Sequence, residues 1–279
     1  MEIGTYLKRV ARYIIKGIPE KRVTVEVKES VPNHHLEGKN VIVTGAGSGL
    51  GYYIAKRCIA EGASVLITGR NEDKLKKAVD ALGVKCKYLV FDSSDVSHMD
   101  AFIKEAEKML CGKINCLVSN AGISLHEGNF RNVTEEGWDL QMNINLKGNY
   151  FLVKKYIEYL EKLEDKIGNI VVITSERSRR SDDIPYGLTK VASNSFIECL
   201  ASKVISEGIR VNGVAPGVTA SNMTGVDKNG NMYADWQPSN RFFMPEEVAE
   251  VVNFLLSDVS CCISGEIIAC DQGRYISHW

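Results

Sequence analysis

VIVTGAGSGLG, residues 41–51, is the stretch from which the rest of the chain is read. Val41, Ile42 and Val43 form a β-branched run without charge, the pattern of a strand covered on both faces. Gly45, Gly49 and Gly51 follow in a G-x-x-x-G-x-G spacing, and LGYYIAKRCIAEG (50–62) continues as a helical stretch. Without side chains, the backbone turns tightly there and approaches a pyrophosphate, which then rests on the N–H groups that open the helix. Ser48 and Leu50 belong to the same cradle.

Six more Val- and Ile-rich runs follow: SVLITG (64–69), KYLVFD (87–92), INCLVSN (114–120), NIVVITS (169–175), IRVNGVA (209–215) and GEIIACD (265–271). Helical stretches lie between them, among them DKLKKAVDALG (73–83) and PEEVAEVVNFLLSD (245–258). Gly62 and Gly83 mark two helix ends. Seven β-α alternations predict a doubly wound, Rossmann-type α/β fold: a seven-stranded parallel sheet with helices on both faces.

Residues 1–37 stand outside this rhythm. Ile3, Leu7, Val10 and Ile14 recur at helical spacing between Lys8, Arg9, Arg12 and Lys16. RVTVEVK (22–28) alternates and reads as a strand with Val23, Val25 and Val27 on one face. The expectation is an N-terminal helix-strand extension that packs on the body or on a neighbouring subunit. Residues 38–279 then form one domain, with a lid over 220–243. The 279-residue length at first suggests two domains at roughly 150 residues each, but the motif map leaves only the extension as surplus.

With 34 basic and 35 acidic side chains, the net charge of −1 argues against a nucleic-acid partner. No apolar run reaches the roughly 18 residues of a membrane span, so no membrane partner is expected. The cysteines at 58, 86, 111, 116, 199, 261, 262 and 270 form no C-x-x-C pair. They read as reduced, mostly buried thiols of a cytoplasmic protein. His34, His35, His98, His126 and His278 show no ligand spacing, and DKNGN (227–231) places its glycine wrongly for a calcium loop, so no metal is expected.

The second strand ends in Thr68-Gly69-Arg70-Asn71. An acid about 20 residues past the glycines would bind a ribose 2′-hydroxyl and signal NAD. Gly69 and Arg70 stand there instead, and a guanidinium suits a 2′-phosphate. The cofactor expected is NADP(H) in preference to NAD(H).

Tyr186 and Lys190 are four residues apart and share a face if helical, and Pro185 suits the first turn of that helix. An ammonium beside a phenol would lower the tyrosine pKa. With this pair in place, the chain resembles the short-chain dehydrogenase/reductase family over roughly residues 38–273. The resemblance rests on TGAGSGLG (44–51), SNAG (119–122), NINLKG (143–148), VVITS (171–175), YGLTK (186–190), RVNGVAPG (210–217) and GEIIACDQG (265–273), in family order.

The resemblance implies residue roles. Tyr186 would be the acid/base towards a carbonyl or alcohol oxygen, and Lys190 would lower its pKa and bind the nicotinamide ribose. Ser175 would hydrogen-bond the substrate oxygen, and Asn145 would hold a water linking Lys190 to solvent. Asp92 would meet the adenine, and Asn120, Ala121 and Gly122 would line the cofactor cleft. Pro216, Gly217 and Thr219 would face the carboxamide, with Ser221 near the phosphates. Ser119 and Gln272 depart from the family pattern, which has asparagine and glycine there.

ERSRRSDDIP (176–185) is shorter than in the family and carries Arg177, Arg179 and Arg180. These favour a solvated charged loop, beside Asp182 and Asp183, over an anion site. The function implied is hydride transfer between nicotinamide and a ketone or secondary alcohol. A 3-oxoacyl-carrier-protein reductase is one alternative, and a non-catalytic dinucleotide sensor or scaffold is another. The family's habit implies a homo-oligomer, dimer or tetramer, and a small-molecule partner.

Overall fold

Each apolar run of the sequence becomes one strand of a single sheet in the computed structural model, which describes residues 20–275. The strands are β1 (Asn40–Thr44), β2 (Ser64–Gly69), β3 (Cys86–Val90), β4 (Cys116–Ser119), β5 (Gly168–Ile173), β6 (Ile209–Pro216) and β7 (Ile267–Cys270). All pairings are parallel, and the order is β3-β2-β1-β4-β5-β6-β7. The chain moves outward from β1 in both directions, so the order reverses between β1 and β4. In such sheets the crevice beyond the strands' carboxyl ends at that reversal is where ligands bind.

Helices cover both faces: α1 (Gly49–Ala60), α2 (Glu72–Leu82), α3 (Met99–Leu110), α4 (Glu135–Gln141), α5 (Asn149–Leu160), α6 (Pro185–Val204) and α7 (Pro245–Leu256). On one face α1, α2 and α7 bury Ile54, Leu75, Val252 and Leu255 against Val41, Val43 and Val65. On the other, α3, α5 and α6 bury Phe102, Leu152, Tyr156 and Ile197 against Ile42, Leu66 and Ile170. Odd and even positions of β1 thus serve opposite cores, which is why its run shows no polar alternation. Gly62 at φ +100° and Gly83 at φ +84° follow the ends of α1 and α2, as expected. Gln272, where the family has glycine, sits at φ +52°.

Two expectations need correction. RVTVEVK is not a strand: residues 20–33 form no helix, strand or turn and join no ladder. Its alternation is nonetheless real, since Val23, Val25 and Val27 are half-buried against Ala220, Met232 and Met244. Alternation reports a half-buried face; it does not supply a ladder partner. The helix expected over Ile3–Ile14 lies outside the described residues. The cysteines are all free, but only Cys58, Cys86 and Cys116 are fully buried, while Cys111, Cys199, Cys261 and Cys262 are exposed. Among the described residues no helix is long and apolar enough to cross a membrane.

Candidate active site

A cleft of about 660 Å³ opens at the carboxyl ends of the strands. Every residue expected to hold a cofactor lines it, from the glycine loop and Arg70 to Asp92, the Asn120–Gly122 turn and the loop after β6. Ser175, Tyr186 and Lys190 line it as well. Asn145 stands just behind.

The floor is built by backbone contacts that exclude side chains. Gly45 and Gly49 adopt φ of +65° and +61°. A Cβ on Gly51 would lie 2.6 Å from Asn120 Nδ2 and 2.8 Å from the Gly45 carbonyl oxygen. Asn120 fastens the loop by donating from Nδ2 to the Thr44 carbonyl at 2.8 Å, and Thr44 Oγ1 accepts from the Asn120 and Ala121 amides, both at 3.0 Å. Helix α1 opens on this floor without an acidic residue in its first turn, whereas α2, α4 and α7 each carry two. Its positive end is therefore not neutralised from within and suits an anion. Arg70, exposed at the end of β2, has no ion-pair or hydrogen-bond partner among the described residues, and Asn71 beside it caps α2 through Lys74 N–H at 2.9 Å.

The reacting groups converge from β5 and α6. Ile184 is extended, at φ −117° and ψ 153°, and Pro185 starts α6, so Tyr186 and Lys190 stand on its first turns facing the cleft. Lys190 is 3% exposed, and its Nζ donates to the Ile173 carbonyl at 2.9 Å, at the end of β5. Burial lowers its pKa to about 8. Tyr186 differs from the sequence expectation, since its pKa is raised. Burial disfavours the phenolate, and this outweighs the hydrogen bond with Ser175 and the nearby Arg177 charge, which both act the other way. The Lys190 ammonium lies 5.7 Å from the Tyr186 ring centroid and is bonded to Ile173.

Asn145 anchors the loop that follows β4. It sits in a widened π turn, Met142–Gly148, between α4 and α5. Its Oδ1 accepts from the Ile123 amide and its Nδ2 donates to the Ile123 carbonyl, each at 2.8 Å. The side chain thus pins the loop after β4 through one donor and one acceptor bond. Its main-chain carbonyl accepts from Asn149 Nδ2 at 2.8 Å. Asn149 Oδ1 in turn accepts from Ser119 Oγ at 2.8 Å, so the departure at 119 is absorbed into this network.

Arg177 is engaged in a bidentate pair, Nε to Asp182 Oδ2 at 2.5 Å and Nη2 to Oδ1 at 2.7 Å. The expected solvated loop is thus only partly so: Asp182 is 1% exposed and Arg177 lines the cleft, while Arg179 and Arg180 are exposed. Met223, Trp236 and Phe242, from the segment expected as a lid, line the cleft mouth, whereas Met232 and Phe243 are buried behind. Asp227 and Gly230 close a turn at 3.0 Å, which accounts for DKNGN as a polar loop. Sequence reasoning missed His126, which lines the mouth and whose Nε2 lies 2.8 Å from the Met223 carbonyl. It also missed Glu176, which is buried and receives Arg274 Nη1 at 2.6 Å, while the Arg274 guanidinium covers Trp236 at 4.3 Å. These contacts span 97 and 98 residues, and no local signal marks them.

A family model described as enoyl-(acyl carrier protein) reductase matches residues 45–274. The chain is 31% identical to a versicolorin reductase of Emericella nidulans, covering 88% of this chain and 99% of that protein. It is 32% identical to a 3-oxoacyl-[acyl-carrier-protein] reductase of Thermotoga maritima, over 86% and 99% of the two. A 3-ketoacyl-(acyl-carrier-protein) reductase from Brucella melitensis, solved in complex with NADH, superposes with a TM-score of 0.79 at 28% identity, covering 86% of this chain and all of that one.

Proposed function

Because the chain belongs to the short-chain dehydrogenase/reductase family and is an oxidoreductase of the NAD(P)-dependent, carbonyl–alcohol class, we propose that it reduces a small ketone with NADPH, or oxidises the corresponding secondary alcohol with NADP. The observation that carries this reading is the convergence of Ser175, Tyr186 and Lys190 on one cleft with the glycine floor and with Arg70, which has no partner among the described residues. The nicotinamide, when bound, supplies or receives the hydride.

The chain's own residues do the rest. The glycine floor and the open end of α1 hold the pyrophosphate, and Arg70 pairs with the 2′-phosphate. Asp92, Asn120, Ala121 and Gly122 line the adenosine and ribose side, while Pro216, Gly217 and Thr219 close the nicotinamide side and Ser221 stands near the phosphates, beside Gly49. Ser175 donates to the substrate oxygen, and Tyr186 delivers its proton to that oxygen as the alcohol forms. A phenol that burial keeps protonated is the form needed for reduction. Lys190 holds the nicotinamide ribose, and its charge favours the phenolate left behind. Asn145 fixes the loop that Lys190 faces.

Two features support a free ketone over an acyl-carrier-bound one. Arg177 is consumed by Asp182, so the basic patch an acidic carrier needs is reduced to Arg179 and Arg180, the latter lying over Tyr275 at 5.3 Å from its centroid. The mouth is aromatic and thioether in character. A half-exposed apolar face on α5 and α6, with Tyr150, Phe151 and Phe196, supports a homo-oligomer. Free thiols support a cytoplasmic setting. NADPH oxidation followed by absorbance over a ketone panel tests the reading, with turnover of at least one ketone expected. No turnover with any ketone, beside turnover of an acyl-carrier thioester, would replace it.

A further inference from the structure

We propose that residues 20–35 form a strap that positions the substrate lid, so that side chains remote from the reaction set substrate affinity. The proposal rests on the reading of 220–243 as the lid. The strap precedes the family match, which begins at residue 45.

One end is fixed to the body. Ser30 Oγ donates to Glu250 Oε2 at 2.8 Å and accepts from Arg57 Nη2 at 2.6 Å. The Asn33 and His35 amides donate to Glu61 Oε2 at 3.2 and 3.0 Å. Arg57 and Glu61 are themselves buried and paired at 2.6 Å, so the anchor is rigid on α1 and α7.

The other end grips the lid. Asn231 Oδ1 accepts from the Val23 amide at 3.1 Å, and its Nδ2 donates to the Lys21 carbonyl at 2.9 Å. The Val23 carbonyl accepts from the Met232 amide at 3.1 Å, and the Met232 carbonyl accepts from the Phe242 amide at 2.9 Å. Phe242 lines the cleft, so two hydrogen bonds in series connect the strap to the site wall. Val23, Val25 and Val27 pack in one apolar cluster with Ala220, Met232, Val226 and Phe242. Val226 and Phe242 face the cleft from that same cluster. The strap therefore backs the cleft wall without touching the reacting groups.

A wall backed this way is pre-organised, and loosening it costs substrate binding before it costs chemistry. The full-length variant Val23→Ser/Val25→Ser/Val27→Ser should raise KM for the ketone at least about fivefold while kcat and NADPH affinity stay within about twofold. Amide exchange should accelerate across 220–243, at Met232 and Phe242 first. An unchanged KM overturns the proposal, with or without faster exchange, and so does unchanged exchange. If the triple variant loses NADPH binding, Val25→Ser is read in its place by the same criteria. The exchange arm needs no substrate, so a chain that turns over no ketone counts against the functional reading and leaves the strap to be decided by exchange.

Discussion

Lys190 on α6 and Ile173 at the end of β5 are joined by a hydrogen bond from Nζ to the main-chain carbonyl, 2.9 Å long. The bond fixes the ammonium below the cleft at the price of desolvation, and the pKa falls from 10.5 to about 8.

That shift links stability to pH. Below about pH 8 the lysine is charged in both folded and unfolded chains, and the folded state bears the full desolvation cost. Between about 8 and 10.5 this lysine holds more protons in the unfolded chain, so its own contribution to stability rises with pH by up to about 3 kcal/mol, against the falling contribution of buried thiols such as Cys86 and Cys116, whose pKa values are raised. Lys190→Met should remove this rise. Denaturant unfolding of both proteins from pH 7 to 10.5 measures it.

Arg70 has no partner within the described chain, so its removal should leave stability unchanged and act on the cofactor alone. Arg70→Ala should weaken NADPH binding about tenfold or more and NADH binding less than twofold, as loss of a charge-assisted pair to a phosphate does. Titration calorimetry with both dinucleotides separates the two.

Gly51→Ala should be poorly tolerated. Its Cβ would meet Asn120 Nδ2, the Gly45 carbonyl oxygen and Ala46 Cα at 2.6, 2.8 and 2.9 Å, and two of those are backbone atoms. The expected cost is about 1–3 kcal/mol in thermal unfolding, with NADPH affinity lost as the floor shifts.

Asp182 is 1% exposed in its side chain and receives both Arg177 nitrogens. Burial opposes its ionised form, yet the guanidinium holds its pKa below the ordinary value. Stability from this pair is present above the ordinary aspartate range and is lost as pH falls through the depressed value. Asp182→Ala leaves Arg177 unpaired and should cost about 3 kcal/mol near neutrality, read from the urea midpoint.

The inner strands were legible because they are buried on both faces and so carry largely apolar runs, whereas the edge strands β3 and β7 are only partly buried; SVLITG ends where β2 ends. The glycine floor was legible because only glycine fits at Gly51. The alternation of Val23, Val25 and Val27 was legible, but the partner was not: the segment packs on side chains some 200 residues away and joins no ladder. The π turn at Asn145 leaves no periodic mark, so its bonds to Ile123 could not be foreseen. The direction of the Tyr186 shift depends on burial, which the spacing to Lys190 does not encode.

The proton step at Tyr186 is the centre of the account. NADPH consumption with a ketone should be measured for the wild type and for Tyr186→Phe, with NADPH affinity determined alongside. The account predicts a loss of turnover of about a thousandfold with NADPH binding retained. Full turnover by Tyr186→Phe would contradict it.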